Sequence, residues 1–525
     1  MCLPCHGRQT FKAAGLLKRE AGLAPSRSPA TQYFSEVTTT IYHSSRNDGI
    51  TASSAEAILC ALAEDGGLFT MDTIPKLPLA SLAELPHDKL AARIIAALLP
   101  DFTEEELCAL VHEAYDGRFT TEPITPTLEV GDKLMLELIH GPTSAFKDVA
   151  LCLLPRLMRR AADKLGVSDG ILILTATSGD TGKAALEGFR DVDGTRIIVF
   201  FPDKGVSAVQ RAQMVTQRGH NVAVCAVDGN FDDAQTGVKS VLEQLGGRLR
   251  LSSANSINVG RLAAQVVYYF SAYFDAVKLG RISLGEELCF CVPTGNFGNI
   301  LAGYLAGEMG LPIRRLVCAS NRNNVLTDFI RTGDYDARRE FYRTESPSMD
   351  ILISSNLERL LRLMSGDAAL VGSLMARLRT ERHYSVPDTL LESIQRRFWA
   401  GCCDDENARG TIRRVWEECH YLCDTHTAVA WNVAEQYQRD RGDETPIVVL
   451  STASPYKFPT AVLGSLGAET EGDEFDQMFA LEALTGIAIP ENLRDLRQRE
   501  IKHRSLVKSG EMLDYVIKKS EEKQW

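Results

Sequence analysis

The chain has 525 residues, of which 45% are hydrophobic and 24% charged, an ordinary globular composition. At roughly 100–200 residues per domain, that length allows about three domains. A formal net charge of −12 argues against a nucleic-acid binder, since phosphate contacts are made mainly by Lys and Arg. No apolar run approaches the ~20 residues needed to span a bilayer, so the expectation is a soluble, cytoplasmic protein.

Residues 1 to 33 stand apart from the rest of the chain. They are basic, rich in Ser and Ala and nearly free of acids, which is compatible with a transit peptide, a disordered extension or a start assigned too early. The opening "MCLPCHG" contains the Cys-x-x-Cys-His haem-attachment pattern, but no secretory signal precedes it. The thirteen cysteines mostly sit within apolar runs such as "LCFCV" and read as buried reduced thiols. Residues 34 to 130 form a mainly helical segment. "SSAEAILCALAEDGG" and "FTEEELCALVHEAYDG" carry apolar residues at three- and four-residue spacing, and Thr103 is a candidate N-cap. Pro123, Pro126 and the turn at Gly131–Asp132 mark a boundary.

From 131 to 465 short apolar strands alternate with helical stretches: "KLMLELI" (133–139), "GILILTA" (170–176), "RIIVFFP" (196–202), "NVAVCAV" (221–227), "EELCFCVP" (286–293), "RRLVCAS" (314–320) and "PIVVLST" (446–452). Strands apolar on both faces and separated by helices predict an α/β fold with parallel-type sheets covered by helices. Ligands then bind at the carboxyl ends of the strands. Two subdomains are expected, the smaller at about 150–280, with a helical section at about 332–440. Residues 466–525 are expected to form a helical segment packed on this core.

Three stretches carry chemistry. In "IHGPTSAFKD" one lysine, Lys147, lies among small and apolar residues. Desolvation would depress its pKa and make the amine reactive; alternatively it snorkels to water from a helix start. "TATSGDTGKAA" (175–185) follows a strand and opens a helix, a seat for an anion. It falls short of a nucleotide-binding P-loop, because Thr177 replaces the first glycine and Ala184 the magnesium-binding hydroxyl. "VPTGNFGNILAG" (292–303) places Gly295 and Gly298 beside Asn296 and Asn299, again where a helix begins. "STASPYKFP" (451–459) ends the last strong strand with the hydroxyls of Thr452 and Ser454.

These stretches appear in order with "PDKGVSAVQRAQM", "NSINVGRLAAQVVYY", "ASNRNNVLTDF", "SPSMDILISSNLERLL" and "DTHTAV". Together they resemble threonine synthase, a pyridoxal-phosphate (PLP) enzyme of fold type II, the tryptophan-synthase-β-like family, over roughly residues 36–465. The resemblance implies that Lys147 is the lysine bonded to the cofactor, with Phe146 before it. It implies that Gly295, Asn296, Phe297, Gly298 and Asn299 cradle the cofactor phosphate and that Thr452 faces the pyridine nitrogen. Ser178, Gly179, Asp180 and Thr181 would hold the substrate carboxylate or the cofactor's phenolic oxygen. Asn255, Ser256 and Arg261 would receive the substrate phosphate, with Asn258 nearby and Lys183 contributing. Two motifs depart from the family pattern: "SSRNDG" stands for an "STRG"-like segment, and "STASPYKF" for "TAHPAKF".

The implied reaction is that of a carbon–oxygen lyase acting on phosphates, turning O-phospho-L-homoserine and water into L-threonine and phosphate. A phospho-lyase that releases 2-oxobutyrate from the same substrate is the alternative. No metal, nucleic-acid or membrane partner is implied, and the expected state is a monomer or homodimer. His140 and His426 read as polar wall or satisfied core histidines, and Asp148 as a cap or an orienting group.

Overall fold

The computed structural model describes residues 42–168, 170–177, 179–204, 206–245 and 250–522. The 1–33 extension and Ser178 lie outside these residues.

Two parallel-type sheets organise the chain. The larger has six strands in the order Phe398–Cys402, Ile313–Ser320, Leu288–Pro293, Ile447–Ser451, Lys133–Glu137 and Thr127–Val130. Its neighbours run parallel except Thr127–Val130, which returns antiparallel on Lys133–Glu137 through the turn at Gly131. Gly131 sits at φ +58°, a conformation that costs a glycine little. The smaller sheet has five parallel strands in the order Ser505–Lys508, Val222–Asp228, Thr195–Pro202, Ile171–Ala176 and Leu251–Ser252. Leu288–Pro293 is buried along its whole length and Thr195–Pro202 nearly so, as expected of strands covered on both faces.

The N-terminal helices Ser54–Cys60 and Glu104–Tyr115 begin at capping boxes, Ser53 with Glu56 and Thr103 with Glu106. Beside them lies a three-stranded antiparallel sheet of Tyr42–Ser44, Asn47–Ala52 and Phe69–Met71, which a mainly helical reading leaves out. Its strands are short, and Asn47–Ala52 is largely exposed, so no apolar periodicity announces it. The C-terminal segment likewise adds a strand to its helices Glu474–Thr485 and Met512–Glu521. Ser505–Lys508 pairs with Val222–Asp228 and extends the smaller sheet. Among the described residues no helix is long and apolar enough to cross a membrane.

The helix Lys147–Lys164 lies against Asp180–Phe189 so closely that a Cβ on Gly188 would fall 1.9 Å from the Leu151 carbonyl oxygen. Backbone cannot yield as a flexible side chain does. Gly188→Ala should therefore lower stability by about 1–3 kcal/mol or more, read as an earlier urea midpoint. An unchanged midpoint would mean the two helices are not in contact there.

Candidate active site

The Lys147 turn hangs on the last strand of the large sheet. Leu138 N–H donates to Ser451 O (2.9 Å), Phe146 N–H to Thr452 O (2.9 Å), and Ser454 N–H to Ser144 O (3.0 Å). Asp148 is buried and accepts from Thr143 N (2.8 Å) and the Thr143 hydroxyl, closing the turn before the helix starts. Burial pushes its carboxyl up to about 6 against the Thr143 hydrogen bonds. Gly141 is required here, because a Cβ would lie 2.5 Å from Asp148.

Lys147 is itself buried. Its Nζ lies 3.6 Å from Asp180 Oδ2, 3.5 Å from Ser348 Oγ and 4.9 Å from the Phe146 ring centroid. Burial lowers its pKa to about 8; Asp180 opposes the shift, while Lys457 and Arg261 add to it. Asp180 opens the helix Asp180–Phe189, between Gly179 and Thr181. Its Oδ1 also meets Lys457 Nζ at 2.7 Å and accepts from Gln210 Nε2 at 2.9 Å. Burial alone would raise the Asp180 carboxyl, but the Lys457 and Lys147 ammonium groups hold it well below the usual carboxylate range. Lys457 is fully buried and donates to Thr143 O (3.1 Å) as well.

Beyond Lys147 the chain forms the second seat. Leu288–Pro293 runs into Gly295–Asn296–Phe297, and Phe297 adopts the left-handed conformation (φ +61°) ahead of the helix Gly298–Glu308. The Phe297 ring is buried on Phe398, with ring centroids 5.6 Å apart. A Cβ on Gly295 would lie 2.9 Å from Ser348 O. Ser354 Oγ donates to Gly295 O (2.8 Å), and Asn356 Nδ2 donates to Asn296 O (3.0 Å) and Ser256 Oγ (3.1 Å). Asn299 accepts from the Tyr268 and Tyr269 hydroxyls, while its Nδ2 is buried without a partner among the described residues.

Arg261 completes the centre. It is 3% exposed, donates to Ala254 O (3.1 Å) and leaves its Nε buried and without a partner among the described residues. It has no ion pair among the described residues. Burial lowers its pKa to about 10 against the opposing influence of Tyr268. A guanidinium this buried is suited to hold an anion.

The structure thus gathers Lys147, Phe146, Asp180, Arg261, Ser256, Thr452 and the 295–299 turn. Two expected substrate residues are engaged elsewhere. Asn258 is wholly buried, caps the helix Val259–Lys278 through Gly260 N (3.0 Å) and donates to Ile58 O (2.8 Å). Lys183 is engaged by Gln217 and Glu187. Asn255 is half-buried, its N–H bonded to Ser253 Oγ (3.2 Å).

Sequence reasoning passed over Lys457, Gln210 and Ser348. Lys457 repeats the signal of Lys147, a lone lysine beside an aromatic within an apolar stretch; the other two carry none. His426 is held by Asp424 Oδ2 at Nδ1 (2.6 Å) and accepts Ser348 N–H at Nε2 (3.1 Å), which assigns the Nδ1–H tautomer. His140 pairs with Glu137 at 2.7 Å. Among the described residues no group of His, Cys, Asp and Glu is placed to hold a metal ion.

An amine freed by burial, a helix N-terminus carrying an unpartnered amide and glycines admitting close approach suit an aldehyde that bears a phosphate. Residues 131–453 match the pyridoxal-phosphate-dependent enzyme family, residues 41–115 the threonine synthase N terminus and residues 427–517 the threonine synthase C-terminal model. The chain is 38% identical to threonine synthase of Eremothecium gossypii over 82% of its own length and 90% of the relative's. It is 41% identical to human threonine synthase-like 1 over 78% of its own length, and spans 58% of that relative. The PLP-bound threonine synthase structure from Brucella melitensis superposes with a TM-score of 0.81 at 36% identity, over 92% of this chain and all (100%) of that one. The chain belongs to the threonine synthase family of pyridoxal-phosphate-dependent enzymes, and its cofactor is PLP.

Two outcomes follow from the charge arrangement. Asp180→Asn would leave two buried ammonium groups without an anion and should cost about 3–5 kcal/mol in urea unfolding; a loss near zero would mean the triad is not buried. Lys147 titrates near 8 folded and near 10.5 unfolded, so the unfolded chain binds more protons between those values. Stability therefore rises with pH across that window. The cofactor-free wild type should gain on Lys147→Met as pH climbs from 8, and parallel pH profiles would contradict the shifted amine.

Proposed function

We propose that this chain converts O-phospho-L-homoserine and water to L-threonine and phosphate. The observation that carries this reading is the buried Arg261 guanidinium, without an ion pair among the described residues yet close enough to lower the Lys147 pKa. Together with Ser256 it would grip the substrate phosphate, in a fork that a lysine could not reproduce. When bound, the cofactor spreads the negative charge that develops when Cα loses its proton.

Lys147 Nζ is the base for that proton, and a pKa near 8 suits a group that must both take and return one. Asp180 and Ser348, both on the same amine, orient it. Proton loss at Cβ then expels phosphate from Cγ, Cγ gains a proton, and water adds its hydroxyl at Cβ. The 295–299 turn and Asn299 Nδ2 would hold the cofactor phosphate, and Thr452 would face its ring nitrogen. Gly179 and Thr181, at the start of the Asp180 helix, would meet the substrate carboxylate.

A second reading stands beside it, because the threonine synthase-like 1 relative, at 41% identity, resembles the chain no less than the Eremothecium synthase at 38%. Without enforced water addition at Cβ, the same residues would release 2-oxobutyrate, ammonia and phosphate, water being consumed in hydrolysis of the nitrogen-bearing carbon. Assaying phosphate, threonine and 2-oxobutyrate together decides between them. Threonine equimolar with phosphate supports the synthase, 2-oxobutyrate in its place supports the lyase, and no phosphate release sinks both. Lys147→Ala should lower kcat by at least about 10²–10⁴, and Arg261→Lys should lower kcat/KM by roughly 10–100-fold. Full activity in either variant would remove that residue from the mechanism.

A further inference from the structure

At the open edge of the smaller sheet the charge balance of the chain reverses. The segment entering Ser505–Lys508 crosses the end of the helix Ala208–Val215, where the Lys502 and His503 amides both donate to Val215 O (2.8 and 3.0 Å). Beside it opens a cleft of about 610 Å³, within the range of small-molecule sites. Arg218, Lys502, His503, Arg504 and Lys519 line it together with Tyr515, and among the described residues no Asp or Glu does. The whole chain has 69 acids against 57 Lys and Arg, so a wall free of acids departs from its mixed surface.

Two of the bases are backed by acids lying outside the lining, Lys502 by Glu500 at 2.5 Å and Lys519 by Glu522 at 2.7 Å. The guanidiniums are not. Arg218 and Arg504 are exposed, make no side-chain hydrogen bond or ion pair among the described residues, and act on Glu500 only through space. The wall behind them is firmly built. His503 Nε2 bonds Gln217 O (3.0 Å), and the Gln217 side chain accepts from Lys183 and donates to Glu187 (3.0 Å).

We infer that this cleft is a binding site for a small phosphorylated metabolite, separate from the Lys147 centre. Each guanidinium offers paired N–H donors that match phosphate oxygens. The ammonium groups add charge, and the Tyr515 ring gives the body of the ligand a flat surface. Neither Lys147 nor Arg261 lines the cleft, so the inference stands whatever reaction the active site performs.

The test is calorimetric titration of the PLP-loaded enzyme with inorganic pyrophosphate as the probe. Wild type should bind, and the exposed double variant Arg218→Ala/Arg504→Ala should bind at least about tenfold more weakly, the loss of one or more charge-assisted hydrogen bonds. Its turnover and urea midpoint should be unchanged. Arg379→Ala, an exposed arginine on the helix Ala368–Glu381, should bind like wild type. Absence of binding by wild type overturns the inference. So does binding that survives the double variant, which would place the probe at Arg261, and so does an equal loss in Arg379→Ala, which would mark a diffuse charge effect.

Discussion

A single buried carboxylate between two buried ammonium groups organises the centre of this enzyme. Asp180 opens the helix that follows strand Ile171–Ala176 of the smaller sheet, Lys147 closes a turn leaving the large sheet, and Lys457 follows the last strand of that sheet. None of the three charges would be tolerable in the interior alone, since desolvation outweighs any isolated attraction. Together, with Gln210 and Thr143 O taking up the remaining hydrogen bonds, they tie the two sheets at the point where chemistry is needed. The same carboxylate sets the reactivity of the amine. Burial drags Lys147 downward, Asp180 pulls it back, and the balance near 8 leaves an amine able to act as nucleophile and as base.

The outlying segments reach this centre through polar contacts. Arg359, fully buried, donates to Phe69 O of the N-terminal sheet (2.9 Å), to Asn356 Oδ1 (2.6 Å) and to Ile257 O. Asn356 in turn holds Asn296 and Ser256, so one guanidinium aligns the 295–299 turn with the loop beside Arg261. From the C-terminal side, Asn492 donates to Pro142 O (2.8 Å) and Ser144 Oγ (2.9 Å). It thereby braces Ser144, whose φ of +57° is a conformation that non-glycine residues keep only under external support. Both flanking regions act as parts of the active-site frame.

The strands of the two sheets were legible because strands covered on both faces are continuous apolar runs closed by Gly-rich turns. Four strands were not, the first being Thr127–Val130, four residues long at the end of the segment read as mainly helical. Phe398–Cys402 sits in a charged, mainly helical section, Leu251–Ser252 is two residues long, and Ser505–Lys508 has an exposed alternate face, so each draws its strand character from the neighbour it pairs with. The haem-like "CHG" opening and the 1–33 segment fall outside the described residues. Among site residues, Lys147 and the 295–299 turn showed themselves through local contrast, a lone cation or clustered glycines at a strand end. Ser348 lies in a stretch with no such contrast, and only the fold brings it to the amine.

By itself the sequence determined the layered α/β plan, the isolated lysine and the two helix N-termini after strands, since these follow from periodicity and turn chemistry within a few residues. The tertiary structure alone decided which charges meet. It gave Asp180 to both Lys147 and Lys457, left Arg261 without an ion pair among the described residues, and engaged Lys183 with Gln217 and Glu187 and Asn258 with Ile58 O. The reason is that Coulombic and desolvation energies depend on through-space distance and burial, quantities that chain closure sets and that no local pattern of residues encodes.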